Sequence, residues 1–558
     1  MVMPGRWTAV VDVPVTSTGV PGHLRPVDRL ATLPRPGEPM THFDRRTLLR
    51  AGLVAGAGVA GGALLGAPGA PAAPGLRRSG RPLLTHGVQS GDVTADSALV
   101  WTRADRPGRM LVEVSRRPDL RGARLVRGPV VDPTGDLTGK VRLRGLPAGE
   151  RLHYRVRVES LDRHGLCSEP LTGSFATAPG RHQRRDVRFV WTGDIVGQGW
   201  GISPDFDGLA IFRAMRERRP DFFLCSGDTV YADGPLTESV VLPDGRTWRN
   251  LVTPEKSKVA ETLAEYRGQF AYNLLDEHLR AFAAQVPQIN QWDDHEVVNN
   301  WYPGEILTDE RYGEKRVDVL AARARQAFHE WLPVPSGGPM YRKLSYGPLL
   351  DVFVLDMRTY KDPNDGNTYA DRNRGLLGKA QREWLIRELR ASRATWKVIA
   401  NDLPIGLVVP DGSAAQEGVA QGDHGAPAGR ELEFAEVLRA SHRAGVTGLV
   451  FLTADVHYTA AHHYDPARAA VRDFSPFWEF VSGPAHAGAF GPNALDGTFG
   501  PKAVFVHAPP RANTSPAEGF QHFGEVTIDG PSRALTVHLR DRTGASLWTT
   551  TLPAPTSR

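Results

Sequence analysis

The sequence has little sulfur. Only Cys167 and Cys225 are cysteine, and their spacing resembles no zinc-binding pattern. A disulfide framework is therefore excluded, and the two are expected to be free thiols in different domains. Long basic runs are missing too. The chain carries 67 Lys and Arg against 62 Asp and Glu, a net charge of +5, with no Lys/Arg block of the kind that marks a nucleic-acid-binding tail. No stable nucleic-acid partner is expected. No apolar stretch is both long and free of glycine, so no permanent membrane span is expected. No GxSxG elbow occurs, which removes a serine nucleophile of the hydrolase type. No internal repeat stands out.

What is present begins with size. A chain of 558 residues, 41% hydrophobic, has material for a large core and two folded domains. Near its start, Arg45-Arg46 precedes an apolar Gly/Ala-rich stretch from Ala51 to about Ala67, then small residues. This resembles a twin-arginine export signal, with Leu48, Leu49 and Arg50 where that pattern wants apolar residues and then a base. Residues 1–74 are read as an N-terminal extension plus this signal, with cleavage among the Ala-Pro residues near Ala70–Ala73. Residues 1–39 are proline-rich, and a signal starting at Met40 would have an ordinary short basic head, so Met40 is the expected start. The resemblance implies the twin-arginine export machinery as a partner and a secreted or cell-surface protein that crosses already folded.

Beyond the signal, residues 83–179 show short alternating runs broken by turns, such as "SALVWTRA", "MLVEVSRR" and "RLHYRVRVES". That rhythm predicts a small all-β sandwich. "RHQRRD" (181–186) reads as a linker. From 186 to 552 the pattern becomes strand, then amphipathic helix, with helical patterns at 208–219, 258–285 and 430–445 and closing β-strands at the C-terminus. Continuous β-branched and aromatic runs alternating with helices predict a buried α/β sheet.

Six of these strands end alike. "DVRFVWTGD" stops at Asp194, "PDFFLCSGD" at Asp228, "PQINQWDDHE" near Asp294, "LLDVFVLDMR" near Asp356, "WKVIANDLP" near Asn401 and "GLVFLTADVH" near Asp455. In open α/β sheets ligands gather outside the carboxyl ends of strands, so these groups should converge in one crevice. Carboxylates crowded together repel, and hard multivalent cations accept aspartate, phenolate and imidazole together. A lone Asp228 could merely cap a turn. It is followed within one turn by Tyr231, in "GDTVYAD".

Taken in order, "WTGD", "GDTVYAD", "WDDHEVVNNW", "LDMRTY" and "TADVHY" resemble the alkaline phosphatase D family. That family belongs to the metallophosphoesterases with a purple-acid-phosphatase-like core. The resemblance covers almost the whole mature chain and implies an αββα sandwich preceded by a fibronectin-like β-sandwich. It implies that Asp228 bridges two metals, that Tyr231 and His457 ligate a ferric ion, and that Asp294 and Asp455 face a calcium ion. Asp194 stands where many members carry a cysteine ligand; an oxygen donor there makes the iron site harder. Four aspartates and a phenolate carry −5, which one ferric and one calcium ion balance. Asn299, Asn300 and Asn401 are candidate secondary ligands. His295 is expected to stabilise the transition state or protonate the leaving oxygen, and Arg358 to fork onto phosphate oxygens. The implied reaction is hydrolysis of phosphate monoesters, with diesters as further substrates, through in-line attack by metal-bound hydroxide.

Two other functions fit the same residues: a phospholipase D-type phosphodiesterase acting on phospholipids, and a non-catalytic surface-binding protein with a degenerate metal core. Among the remaining motifs, "HHY" (462–464) reads as a solvated loop and Cys225 as a small core residue. "QGWG" (198–201) and "FSPFWEFVSGP" (474–484) read as walls of a substrate cleft.

Overall fold

The computed structural model describes residues 80–556 except Arg372. The expected extension and signal over 1–74, with Met40 and Arg45-Arg46, lie outside the described residues. Two large sheets form the centre, one of nine strands and one of seven. From the strand Val187–Thr192, Phe189 and Trp191 enter the core between the sheets, while Val190 packs on the opposite side. Phe222–Ser226 repeats the pattern, with Phe222 and Leu224 inward and Phe223 and Cys225 outward. The second sheet answers with Leu350, Val352 and Val354, with Trp396, Val398 and Ala400, and with Val450 and Leu452. Phe353, Ile399 and Phe451 alternate with them and face the other way. Side chains alternate across a strand, and here both phases are apolar, which is why each strand reads as an unbroken hydrophobic run.

Helices cover the two outer faces. Ile211–Glu217, Leu263–Asn273, Glu277–Ala283 and Val317–Trp331 pack on the nine-stranded sheet, and Gly378–Ala391 and Glu431–Arg443 on the seven-stranded one. The result is the expected αββα sandwich. The helical pattern at 258–285 is two helices rather than one. Asp276 accepts the Leu279 N–H at 2.9 Å and so starts a new helix. The Asn273 amide, ending the first, donates to the Thr229 carbonyl at 2.6 Å.

Strand direction positions the site. Val187–Thr192, Phe222–Ser226 and Gln288–Gln291 are parallel neighbours. So are Leu350–Val354, Trp396–Ala400 and Leu449–Thr453. All six therefore release their carboxyl ends along one edge of the double sheet. The C-terminal strands His522–Ile528, Leu535–Asp541 and Ser546–Leu552 add an antiparallel meander beside Val187–Thr192.

The N-terminal module has a four-stranded sheet of Gly108–Ser115, Arg124–Val131, Arg151–Ser160 and Leu171–Ala176. It packs through Met110, Val112, Val156, Val158 and Phe175 against a second sheet of Leu84–Gly91, Ser97–Ala104 and Thr138–Arg144. That second sheet does not end within the module. Gly91 pairs with Gln288, so its three strands continue the catalytic sheet to nine. Around the joint, Arg342 forks onto Asp92 at 2.8 and 2.9 Å, and the Trp101 indole donates to the Glu330 carbonyl at 2.8 Å.

Two expectations are corrected here. "HHY" is not a solvated loop: it ends the strand Thr459–Tyr464, with His462 buried 3.5 Å from Glu479. The run 474–484 is not a cleft wall: it contains the core strand Phe477–Val481, whose Phe477, Phe480 and Val481 are buried. Cys167 and Cys225 are both free, and Cys225 is a buried core residue.

Candidate metal centre

The chain leaves the strand ends in tight left-handed turns. Asp194 (φ 57°), Asp228 (φ 48°), Asp455 (φ 64°) and His457 (φ 61°) all have positive φ. That conformation costs an ordinary L-residue roughly 1–2 kcal/mol, and such strain clusters at functional sites. Two glycines make the crowding possible. Gly227 has φ 91°, and a Cβ there would lie 2.4 Å from the Asp293 Cβ; a Cβ on Gly197 would lie 2.2 Å from the Tyr231 ring.

The turns bring the expected residues together in three overlapping sets. Asp194, Asp228 and His457 form one, Asp228, Asp294 and His295 the next, and Asp293, Asp294 and Asp455 the third. Within each set one donor atom per residue lies within 4.8 Å of the others. Asp228 belongs to the first and second sets, Asp294 to the second and third. The sets therefore form a chain of donors rather than separate clusters.

In the first set the hydrogen bonds fix each donor. His457 Nδ1 donates to the Gly488 carbonyl, so Nε2 carries the lone pair. The Tyr231 hydroxyl lies 2.9 Å from that nitrogen, and Asp194 Oδ1 lies 3.6 Å from it. Burial holds His457 down to about 4, so the ring is neutral and able to ligate. Both carboxylate oxygens of Asp194 are buried with no hydrogen-bond partner. Burial pushes Asp194 up to about 8 and raises Asp228 and Asp455 well above the usual carboxylate range. Tyr231 is likewise raised by burial, then by the Asp228 charge. Orphaned hard oxygens beside a neutral imidazole and a phenol fit a multivalent cation, which would relieve both burial cost and mutual repulsion.

His295 sits at the mouth. Its Nδ1 lies 2.8 Å from Asp233 Oδ1, an acceptor that leaves Nε2 as the ring's free edge. Burial opposes its charge, but Asp233, Asp294 and Asp228 outweigh burial and raise it well above the ordinary histidine value. The ring stacks on Tyr231 at 4.1 Å, and the His295 N–H donates to Asp228 Oδ1 at 3.1 Å. Its side chain is 10% exposed and that of Asp455 11%, whereas Asp194 is 1% exposed, so solvent enters at His295 and Asp455.

Arg358, expected to meet phosphate, is buried among carboxylates. Its side chain is 0% exposed. Nε donates to Asp293 Oδ1 at 2.6 Å, and the guanidinium also contacts Glu417 and lies 3.3 Å from Asp402. It stands 3.8 Å from Asp294 and 3.5 Å from Asp455. Buried among these carboxylates, the guanidinium balances their charge beside two of the donors expected to hold metal. Of the asparagines, Asn300 donates its backbone N–H to Asp294 Oδ2 at 2.6 Å and its amide to Asp411 at 3.0 Å. Asn299 is exposed and donates its N–H to Asp233 Oδ2 at 2.9 Å. Asn401 is buried, with Oδ1 free of any hydrogen bond. Trp200, from "QGWG", packs with Trp248 in a satellite core rather than lining a cleft.

Sequence reasoning missed Asp233, Asp293, Asp402, Glu296 and Glu417. Asp233 was in plain sight, closing "GDTVYAD" five residues after Asp228. Glu296 accepts the Thr229 N–H at 2.6 Å and the Asp293 N–H at 2.8 Å, tying the turn after Asp228 to the "WDDHE" loop.

Residues 189–539 match the family described as PhoD-like phosphatase. The chain belongs to that family. Residues 70–179 match the N-terminal domain of the PhoD-like phosphatases. Alkaline phosphatase D of Bacillus subtilis (strain 168) is 29% identical over 470 residues, 79% of this chain and 75% of that protein. A solved structure of PhoD superposes with a TM-score of 0.65 at 22% identity, covering 85% of this chain and 90% of that one. A purple acid phosphatase from yellow lupin seeds gives 0.53 at 13% identity, covering 85% and 74%. These two likenesses establish the metallophosphoesterase-like fold. As a PhoD-like phosphatase, the protein is a phosphoric ester hydrolase. Among its described residues no helix is long and apolar enough to cross a membrane.

Proposed function

We propose that the protein is an exported, metal-dependent phosphatase acting on phosphate monoesters, with diesters as further substrates. The observation that carries this reading is the chain of donor sets linked through Asp228 and Asp294 at the mouth that His295 opens. A ferric ion would be held by Asp194, Asp228, Tyr231 and His457, and a calcium ion by Asp228, Asp294 and Asp455, with Asn299, Asn300 and Asn401 as secondary candidates. When bound, such a pair supplies Lewis-acid activation of water and neutralises phosphate charge. Asp194 in place of a cysteine supports a hard, oxygen-rich iron site. The secreted or surface location rests on the twin-arginine-like motif at Arg45-Arg46.

The chain's own residues do the rest. His295 keeps Nδ1 on Asp233 and presents Nε2 to the leaving oxygen, to which it gives a proton. Asp233 acts through His295 as a positioning residue. Asp233→Asn is expected to move the alkaline limb of the kcat/KM profile to lower pH, because it deletes the largest influence raising His295. Activity needs the protonated ring and falls as pH rises through its pKa, so lowering that pKa narrows the active range from the alkaline side. An unshifted limb would remove His295 from the acid role.

Chelation and reloading test the metal assignment. Protein purified without added ions is expected to contain iron and to show a tyrosinate-to-iron absorption band. Tyr231→Phe should abolish that band, and chelation should abolish turnover. A band that survives in Tyr231→Phe would place the phenolate elsewhere, and a chain without iron or turnover would favour the surface-binding alternative. Phosphate release from p-nitrophenyl phosphate, set against choline release from phosphatidylcholine, separates the phosphatase from the phospholipase D reading.

A further inference from the structure

The charge of this molecule is unevenly divided. Residues 80–179 carry sixteen Lys and Arg against eleven Asp and Glu, a net +5. Residues 180–558 carry 42 against 47, a net −5. The positive excess is concentrated at one end of the N-terminal sandwich, in an open cleft between the turn 116–124 and the turn 145–147. Arg116, Arg117 and Arg124 line it, and Val114, Leu146, Pro147 and Leu152 form its apolar floor. Arg121 and Arg144 are exposed beside it.

One carboxylate, Asp119, serves this group. It pairs with Arg117 at 3.1 Å and with Arg121 at 3.6 Å. Among the described residues no carboxylate pairs with Arg116, Arg124 or Arg144. The Arg124 guanidinium instead donates to the Arg144 carbonyl at 2.7 Å, which holds two cationic residues side by side. Five guanidinium groups against one carboxylate repel each other, and an anion in the cleft would relieve that repulsion. Strand pairing assembles the cluster from separate segments, so no basic block in the sequence announces it.

We propose that this cleft is an anion-binding site for an extended polymer of repeated phosphate or sulfate groups, and that it tethers the enzyme away from its metal centre. Guanidinium forks match such groups bidentately. Three arginines in the cleft and two beside it suit a polymer better than a single ion, and the apolar floor suits the polymer's backbone. A flat lipid surface would not reach the recessed floor. The separation from the metal centre follows from the sheet. Arg185 donates to the Gly149 carbonyl at 2.7 Å and to Asp221 at 2.9 Å. Asp221 immediately precedes the strand Phe222–Ser226, so the 145–150 turn lies by the amino ends of the catalytic strands, opposite the edge where Asp228 sits.

Heparin is a suitable probe, because it offers no phosphate ester to the metal centre. The full metal-loaded protein should bind heparin with salt-dependent affinity. Arg116→Gln/Arg144→Gln should weaken binding at least about tenfold and cut the slope of log K against log salt by about one per arginine removed. Its kcat/KM on p-nitrophenyl phosphate should be unchanged, and Asp228→Asn should bind heparin as the parent does. Arg117→Gln/Arg121→Gln, on the same rim, serves if the first variant does not fold. Heparin affinity unchanged in the arginine variants, or lost in Asp228→Asn, overturns the proposal. So does tighter binding to phosphatidylglycerol vesicles than to heparin at equal salt, which would make the partner a membrane.

Discussion

Asp228→Asn is expected to reduce kcat/KM by about 10²–10³-fold, the scale at which losing one preorganised electrostatic contact in an active site is felt. Asp228 is shared by the Asp194–His457 and Asp294–His295 donor sets, so its neutral amide weakens both at once. The same change should not harm the fold. Burial has already pushed this carboxyl well above the usual range, so the metal-free protein gains little from its charge. The backbone N–H of His295 still finds a carbonyl oxygen where Oδ1 was. The chelated variant is therefore expected to melt no lower than the chelated parent. Near-normal turnover with two metals retained would show that Asp228 bridges nothing.

Arg358→Met should act in the opposite way, through the fold first. Removing one partner of a buried ion cluster leaves the others uncompensated and costs about 3–5 kcal/mol. Here Asp293, Asp402 and Glu417 would all lose their guanidinium. Lys361, 3.0 Å from Glu417, is the nearest remaining cation, and burial has already lowered it to about 8. A clear fall in Tm is expected, and Arg358→Met/Glu417→Gln should recover part of it by removing one stranded charge. If Arg358→Met instead keeps its Tm and only raises KM, the guanidinium touches substrate after all.

The catalytic strands were legible because both phases of their alternation are apolar, so burial on two faces appears as continuous hydrophobic runs. The residues at their ends were legible for the same reason: Asp194, Asp228 and Asp455 break those runs abruptly. Partners across the sheet left no such mark. Glu417 reaches Arg358 from a segment with no periodic pattern, and Asp402 meets Asp293 from another strand end. "LDMRTY" gives the position of Arg358 on a strand exit but not its depth among carboxylates. Asp233 could have been found from its spacing after Asp228, but its role depends on His295, 62 positions away.

The shared sheet has one more implication. Because Gly91 carries the sheet across to Gln288, the N-terminal β-sandwich closes what would otherwise be a bare flank of the catalytic sheet. It is an end-piece as much as an appendage. A catalytic body expressed without it would present unpaired backbone at Gln288 on an open strand edge, an invitation to stick to its own kind. Natural loss of the module would therefore require a substitute cover.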